Sequence, residues 1–259
     1  MTLSFYVRDF LLYLEKEKQV SPLTIRNYTH WLGRFEGFYT RLSPPLSEIS
    51  NFGDKQIKRY ERFLNNVVDD EGTPLSRKTK AYHMIALRSF IHYLNDDSVV
   101  VFPYKAIPVP IMQHDPAIPL EEKKIQTILA RPQLEKPADI RDKAILELLV
   151  RCKLKVSELV HLNKVDIDLD KGTLTVRGRK GKRRVEDLPE QVTPWLMRYL
   201  SERTDVYQPL FIRYSGKTVD PSNPAESLRL SPRSVQRMVE KYTKTETTNI
   251  TPQTLRDSL

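Results

Sequence analysis

Apolar residues recur at helical spacing four times within the first hundred positions. Leu3, Tyr6, Val7, Phe10, Leu11 and Leu14 form one stripe. Ser21 followed by Pro22 is a cap and first-turn signal, opening a second helix that carries Ile25, Tyr28, Leu32, Phe35 and Tyr39. A third helix is expected from about Asp54 to Val68. Gly72 and Pro74 then break the chain, and Ser76 caps a fourth helix striped by Met84, Leu87, Ile91 and Leu94. The pattern predicts a compact all-helical domain over residues 1–102.

Pro103, Pro108, Pro110, Pro116 and Pro119 fix extended backbone and deny helix, which predicts an interdomain linker over residues 103–119. The second domain, 120–259, opens with two helical patterns, in which Ile140, Ala144, Ile145, Leu148 and Leu149 form a buried face. From Val165 to Leu188 the pattern changes to alternation. Gly172 turns the chain, Thr173 to Arg177 favours β structure, and Gly178 with Gly181 marks a second turn before Val185. A helix around Pro194 to Glu202, a short strand around Leu210 to Ile212 and a helix from Ser231 to about Lys241 follow. A last helix begins at Thr251 and Pro252. The expected class is mainly α with a small β component, an all-helical domain followed by a mixed α/β one.

No apolar run approaches the ~20 residues that span a bilayer. Arg8 and Asp9 interrupt the N-terminal stretch, which excludes a signal-peptide core, so an intracellular, cytoplasmic protein without a membrane partner is expected. The single Cys152 forms no internal disulfide. His30, His83, His92, His114 and His161 lack partner cysteines and metal-ligand spacing, so no metal is expected. Asp166, Asp168 and Asp170 imitate the start of a calcium loop, but Lys171 and Arg177 stand where it needs glycine and a glutamate ligand. Lys and Arg total 42 against 33 Asp and Glu, a net charge of +9. That is the sign a polyanion binder needs, because each neutralised phosphate releases counterions. An ordinary solvated surface carries such charge too.

The segment RDKAILELLVRCKLKVSELVHLNKVDIDLDKGTLTVRGRKGKRRVEDLP, Arg141 to Pro189, resembles the part of tyrosine recombinases, the phage integrase family, that holds their first catalytic arginine and their lysine hairpin. SPLTIRNYTHWLGRFEGFY and SRKTKAYHMIALRSFIHYL are similar to two helices of the family's core-binding domain. PLFIRYSGK, SPRSVQRMVEKY and ITPQTLRDSL resemble its later landmarks in order. The resemblance implies a SAM-like core-binding domain and a catalytic domain of the DNA breaking-rejoining fold, closing on duplex DNA from two faces, with sister subunits on the same DNA. It implies a tyrosine nucleophile and a 3′-phosphotyrosine link, with no cofactor. Two arginines, a histidine and a lysine stabilise charge and move protons.

Several of those positions are altered. The family motif like GLRxSEL is matched by Lys153 to Leu159, so its arginine is Lys155 and its acidic residue Glu158. An ammonium keeps the sign of a guanidinium but loses the fork that holds two phosphate oxygens. The hairpin lysine aligns with Arg179, beside Lys180, and an arginine is a poor proton donor to a leaving hydroxyl. The HxxR pair is Gln253 and Arg256. Glutamine exchanges no proton near neutral pH, and Asp257, where histidine is frequent, adds negative charge beside the phosphate position. Family spacing puts the nucleophilic tyrosine beyond Leu259, together with a segment that docks on a neighbouring subunit, so a monomer in solution is expected. Tyr214 and Tyr242 precede Arg256 and are expected to pack.

By the same resemblance, the helix faces bearing Thr24, Arg26, Asn27 and His30, and Arg77, Lys78, Lys80, His83 and Arg88, meet the major groove. The acid-free run Arg177, Arg179, Lys180, Lys182, Arg183 and Arg184 is expected to contact phosphates at a hairpin tip, with Arg233, Arg229 and Arg237 as further backbone contacts. Three readings stand at this point: a DNA binder of the recombinase family that no longer cleaves, an active site-specific recombinase of which this chain is a fragment, and a basic RNA-binding protein.

Overall fold

The computed structural model describes residues 2–42, 49, 52–69, 72–99, 102–110, 119–178, 181–216 and 218–258. The chain divides into two compact units, Met1–His114 and Asp115–Leu259, each with its own apolar core.

Unit one is built from α1 (Leu3–Lys16), α2 (Pro22–Tyr39), α3 (Asp54–Asn66) and α4 (Arg77–Asp96). Local chemistry sets their starts. The Oγ of Ser21 and of Ser76 accepts the backbone N–H of Thr24 and of Thr79, at 3.2 and 3.1 Å, satisfying donors that a helix leaves unpaired. The apolar stripes meet in a core rich in rings, where Phe10, Leu32, Phe35, Tyr60, Leu87, Phe90 and Ile91 are buried. The unit runs past Phe102. A 3-10 turn at Tyr104–Ala106 delivers Ile107 fully buried into this core, and the Arg88 guanidinium donates to the Ile107 carbonyl at 3.1 Å. The proline stretch expected as linker is thus packed structure as far as this turn. Proline denies helix without denying burial to the residues between.

Unit two contains α5 (Glu122–Ala130), α6 (Pro137–Arg151), α7 (Val156–Val160), β1 (Ile167–Asp168), β2 (Thr173–Arg177), β3 (Arg183–Asp187), α8 (Thr193–Ser201), α9 (Pro224–Leu228), α10 (Pro232–Thr243) and α11 (Pro252–Arg256). The strands form one antiparallel sheet in the order β1, β2, β3, with Leu174 opposite Glu186 and Val176 opposite Arg184. Gly172, at a φ of 62°, supplies the left-handed residue of the first turn. Leu174 and Val176 face the core, where α6 is buried along almost its whole length.

Two expectations need correction. Leu210 to Ile212 does not form a strand of this sheet: among the described residues its β pairing is limited to the isolated bridge of Ile212 with Arg229, beside that of Asn163 with Pro209. The segment after it forms α9, which the pattern did not announce although Asn223 and Pro224 are a cap and first-turn pair. Among the described residues, no helix is long and apolar enough to cross a membrane.

Candidate functional site

Helix α6 ends at Arg151, and the chain turns through Lys153, whose φ is 51°. That is the position where the motif carries glycine, so the lysine keeps a glycine backbone at a cost in strain. The turn buries Leu154 and presents Lys155 as the exposed N-cap of α7. Glu158 fixes this corner: its Oε2 accepts the Lys155 backbone N–H at 3.0 Å. The same carboxylate receives the Arg184 guanidinium through both oxygens, at 2.8 and 3.1 Å. Arg184 and the Lys155 amide hold the Glu158 carboxyl below the usual carboxylate range. The β2–β3 hairpin is thereby tied to α7.

Helix α11 brings the second half. Thr251 caps it, Pro252 is its first residue, and Gln253 and Arg256 project one turn apart. Lys155, Ser157, Gln236, Gln253 and Arg256 line one cavity of about 640 Å³, with Leu154, Val156, Thr251 and Pro252 as its remaining wall. The Arg256 Nε donates to Asp257 Oδ1 at 2.9 Å, and the Gln253 amide donates to the other Asp257 oxygen. Those two donors, with the charge of nearby Lys153, keep the Asp257 carboxyl below its ordinary range. Arg256 therefore already has an internal anion on one edge of its guanidinium. A second cavity of about 650 Å³ shares Lys155 and Ser157 and is lined also by Glu158, Arg177 and Arg229.

Lys155, Gln253 and Arg256 are thus brought together, with Glu158 behind Lys155. Arg179 and Lys180 lie outside the described residues. The acid-free basic run is less free than its sequence suggests. Arg177 pairs with buried Asp166 at 3.2 Å, and Arg184 with Glu158 and Glu186, so both are occupied within the unit. Lys182 and Arg183 are exposed. Arg229 is likewise structural, donating to the Val160 and Leu162 carbonyls and pairing with Glu226, whereas Arg233 and Arg237 are exposed.

In unit one, Arg26, His30, Arg77 and Lys78 are exposed, and Thr24, Asn27 and Lys80 half-buried. Two residues expected at the surface are not there. His83 is 1% exposed and takes a 3.1 Å hydrogen bond on Nε2 from Arg34. A guanidinium only donates, so the neutral ring carries its proton on Nδ1. Burial first, and Arg34 second, lower its pKa to about 4. Arg88 is spent on the Ile107 carbonyl. They border the inward face of α4 on opposite sides, and a list of polar residues does not distinguish such edges from the outer face. Arg34 and Glu186 carry no signal in local spacing, and Asp166, read in the sequence only as the start of a false calcium loop, is buried in a 3-10 turn; the roles of all three exist only through partners in the fold.

Tyr242 packs as expected, its hydroxyl donating to Asp142 at 3.1 Å inside the core, whereas Tyr214 is 43% exposed, with the Arg141 guanidinium 5.5 Å from its ring. Burial pushes the Cys152 thiol up to about 12, which leaves it un-ionised.

The chain matches the phage integrase family over residues 119–259 and the N-terminal SAM-like domain of phage integrases over residues 7–97. It is 29% identical over 277 residues to the tyrosine recombinase XerC of Chlamydia trachomatis serovar L2, covering 100% of this chain and 84% of that protein. It is 30% identical over 254 residues to the tyrosine recombinase XerC of Thermodesulfovibrio yellowstonii, covering 93% of this chain and 75% of that one. Its fold is that of lambda integrase, residues 75–356, in the crystal structure of a dimer bound to a COC' core site. There the TM-score is 0.70 at 15% identity, over 99% of this chain and 87% of that one. With one family description matched along the second unit and its companion along the first, this chain belongs to the phage integrase family, as a Xer-like tyrosine recombinase member.

Proposed function

We propose that this chain binds duplex DNA within site-specific recombination and that its phosphate pocket holds a backbone phosphate without supporting efficient strand cleavage. The observation that carries the reading is the gathering of Lys155, Gln253 and Arg256 around one cavity with Asp257 already seated on Arg256. Phosphoryl transfer by a side-chain nucleophile needs charge stabilisation on the phosphate oxygens and proton exchange with the attacking and leaving oxygens. Lys155 supplies one compact charge and no fork, and Gln253 donates hydrogen bonds without exchanging protons. Asp257 offsets part of the charge of Arg256. Retained cation and lost proton chemistry add up to binding in preference to turnover.

The DNA contacts we assign are Thr24, Arg26, Asn27, His30, Arg77, Lys78 and Lys80 from unit one. Unit two contributes Lys155, Lys182, Arg183, Arg233 and Arg256, with Arg179 and Lys180 between the hairpin strands. Sister copies of the chain on the same duplex complete the assembly, as in the lambda integrase dimer bound to its core site. The test is incubation with a randomised pool of nicked suicide duplexes, followed by denaturing electrophoresis, with RNA hairpins as competitors. Retention that duplex displaces better than RNA, without a denaturant-resistant protein–DNA band, is the expected result. A covalent band overturns the loss of cleavage, and tighter RNA binding overturns the ligand.

A further inference from the structure

We infer that the first unit carries a nucleotide-binding cavity between α3 and α4, in which arginine forks hold the phosphate and an apolar floor seats the base. Arg77 and Lys80 also enter the duplex reading above, but the cavity is argued from its own lining. Lys58, Glu61, Arg62 and Asn65 recur at intervals of three and four along α3, so they share one face. Arg77, Lys80 and Met84 do the same on α4. These faces and Pro110 enclose about 620 Å³, within the roughly 300–1,000 Å³ of small-molecule sites and far more than one phosphate needs.

The lining has two chemistries. Its charged part sets four cations against the single carboxylate of Glu61, an excess that matches a phosphomonoester dianion better than a lone carboxylate. Lys58 is paired with Asp54 at 2.7 Å and Lys80 donates to Asn65 Oδ1 at 2.9 Å, whereas exposed Arg62 and Arg77 make no ion pair among the described residues. Those two forks are the groups left to grip phosphate oxygens. The apolar part is half-buried Pro110 with the narrow edges left by Leu64 and Met84, which are only 1% and 2% exposed, and the face of a heterocycle would lie against it. Glu61 is then placed to accept from an exocyclic amino group, as glutamate accepts from cytosine. Burial, and then nearby Asp54, hold its carboxyl above the ordinary range, with the charge of Lys58 opposing them.

The test is calorimetric titration of the full chain with deoxyadenosine 5′-monophosphate, deoxycytidine 5′-monophosphate, inorganic phosphate and deoxyadenosine, with a glutamate-rich peptide as competitor. At least one nucleotide should bind about tenfold or more tighter than phosphate or nucleoside alone. The R62A/R77A pair should weaken it by about tenfold or more, with an unchanged thermal melt, while the K16A/K123A pair on other helices leaves it unaltered. Titration with a 5′-phosphorylated single-stranded tetranucleotide separates the sources: tighter binding than the mononucleotide assigns the site to a strand unit, weaker binding to a free nucleotide. Phosphate binding as tightly as both nucleotides, equal competition by the peptide, or no effect of R62A/R77A each overturns the inference.

Discussion

Lys153 holds a left-handed φ of 51° where only glycine is free of strain, so its backbone stores a cost of about 1 kcal/mol. Lys153→Gly should raise the urea midpoint by a corresponding amount, and a lower midpoint would mean that the lysine side chain repays its strain. Asp257 stands at the end of α11. Its carboxylate takes Arg256 and Gln253, so Asp257→Asn should free a cation for DNA and steepen the slope of log affinity against log salt by about 1. An unchanged slope would show that Arg256 meets no phosphate. Glu158 is 8% exposed and holds Arg184 through both oxygens, but Arg184 is 41% exposed, so solvent screens the pair. Removing one partner of a fully buried pair costs several kcal/mol; here Arg184→Met should cost about 1 kcal/mol. The Glu158 carboxyl is lowered in the folded state. Its contribution is therefore present above the unfolded value and lost as pH falls through the folded one, so Arg184→Met should also flatten the decline of stability below about pH 4.5.

At the scale of elements, α4 shows what a sequence displays and what it hides. Its length, its Ser76 cap and its apolar stripe are all written in local spacing, and the structure follows them. His83 belongs to the same polar list as Arg77 and Lys78, yet it is buried against α2, because which flank of a helix turns inward is decided by a partner helix. Burial has a measurable signature. Neutral in the fold down to about pH 4 but protonating near 6.5 when unfolded, His83 should reduce stability as pH falls between those values. His83→Gln should remove about 2–3 kcal/mol of that dependence. A ring titrating near 6.5 by NMR would contradict the placement. The hairpin gives the same lesson in charge. Its basic run was legible, but Asp166 and Glu158, which take two of its arginines, come from outside the run. The corner at Lys155 and the α11 pair were legible through resemblance alone, since nothing in local periodicity links residues a hundred positions apart.

For the whole molecule, two separate apolar cores imply two units of cohesion, and the proline stretch marks the change between them without being wholly outside either. We propose that the units unfold independently, so a calorimetric scan should resolve two transitions, and a single cooperative one would refute this. The recombinase family explains the order of elements and the meeting of Lys155 with Arg256. It leaves open what this altered pocket does with a phosphate. The most direct measurement is the salt dependence of duplex affinity for the unaltered chain and for K155A/R256A. If the cavity receives a backbone phosphate through both cations, the slope should shrink by about 2 while discrimination between sequences stays the same. An identical slope in the two proteins would mean that the duplex never reaches this pocket.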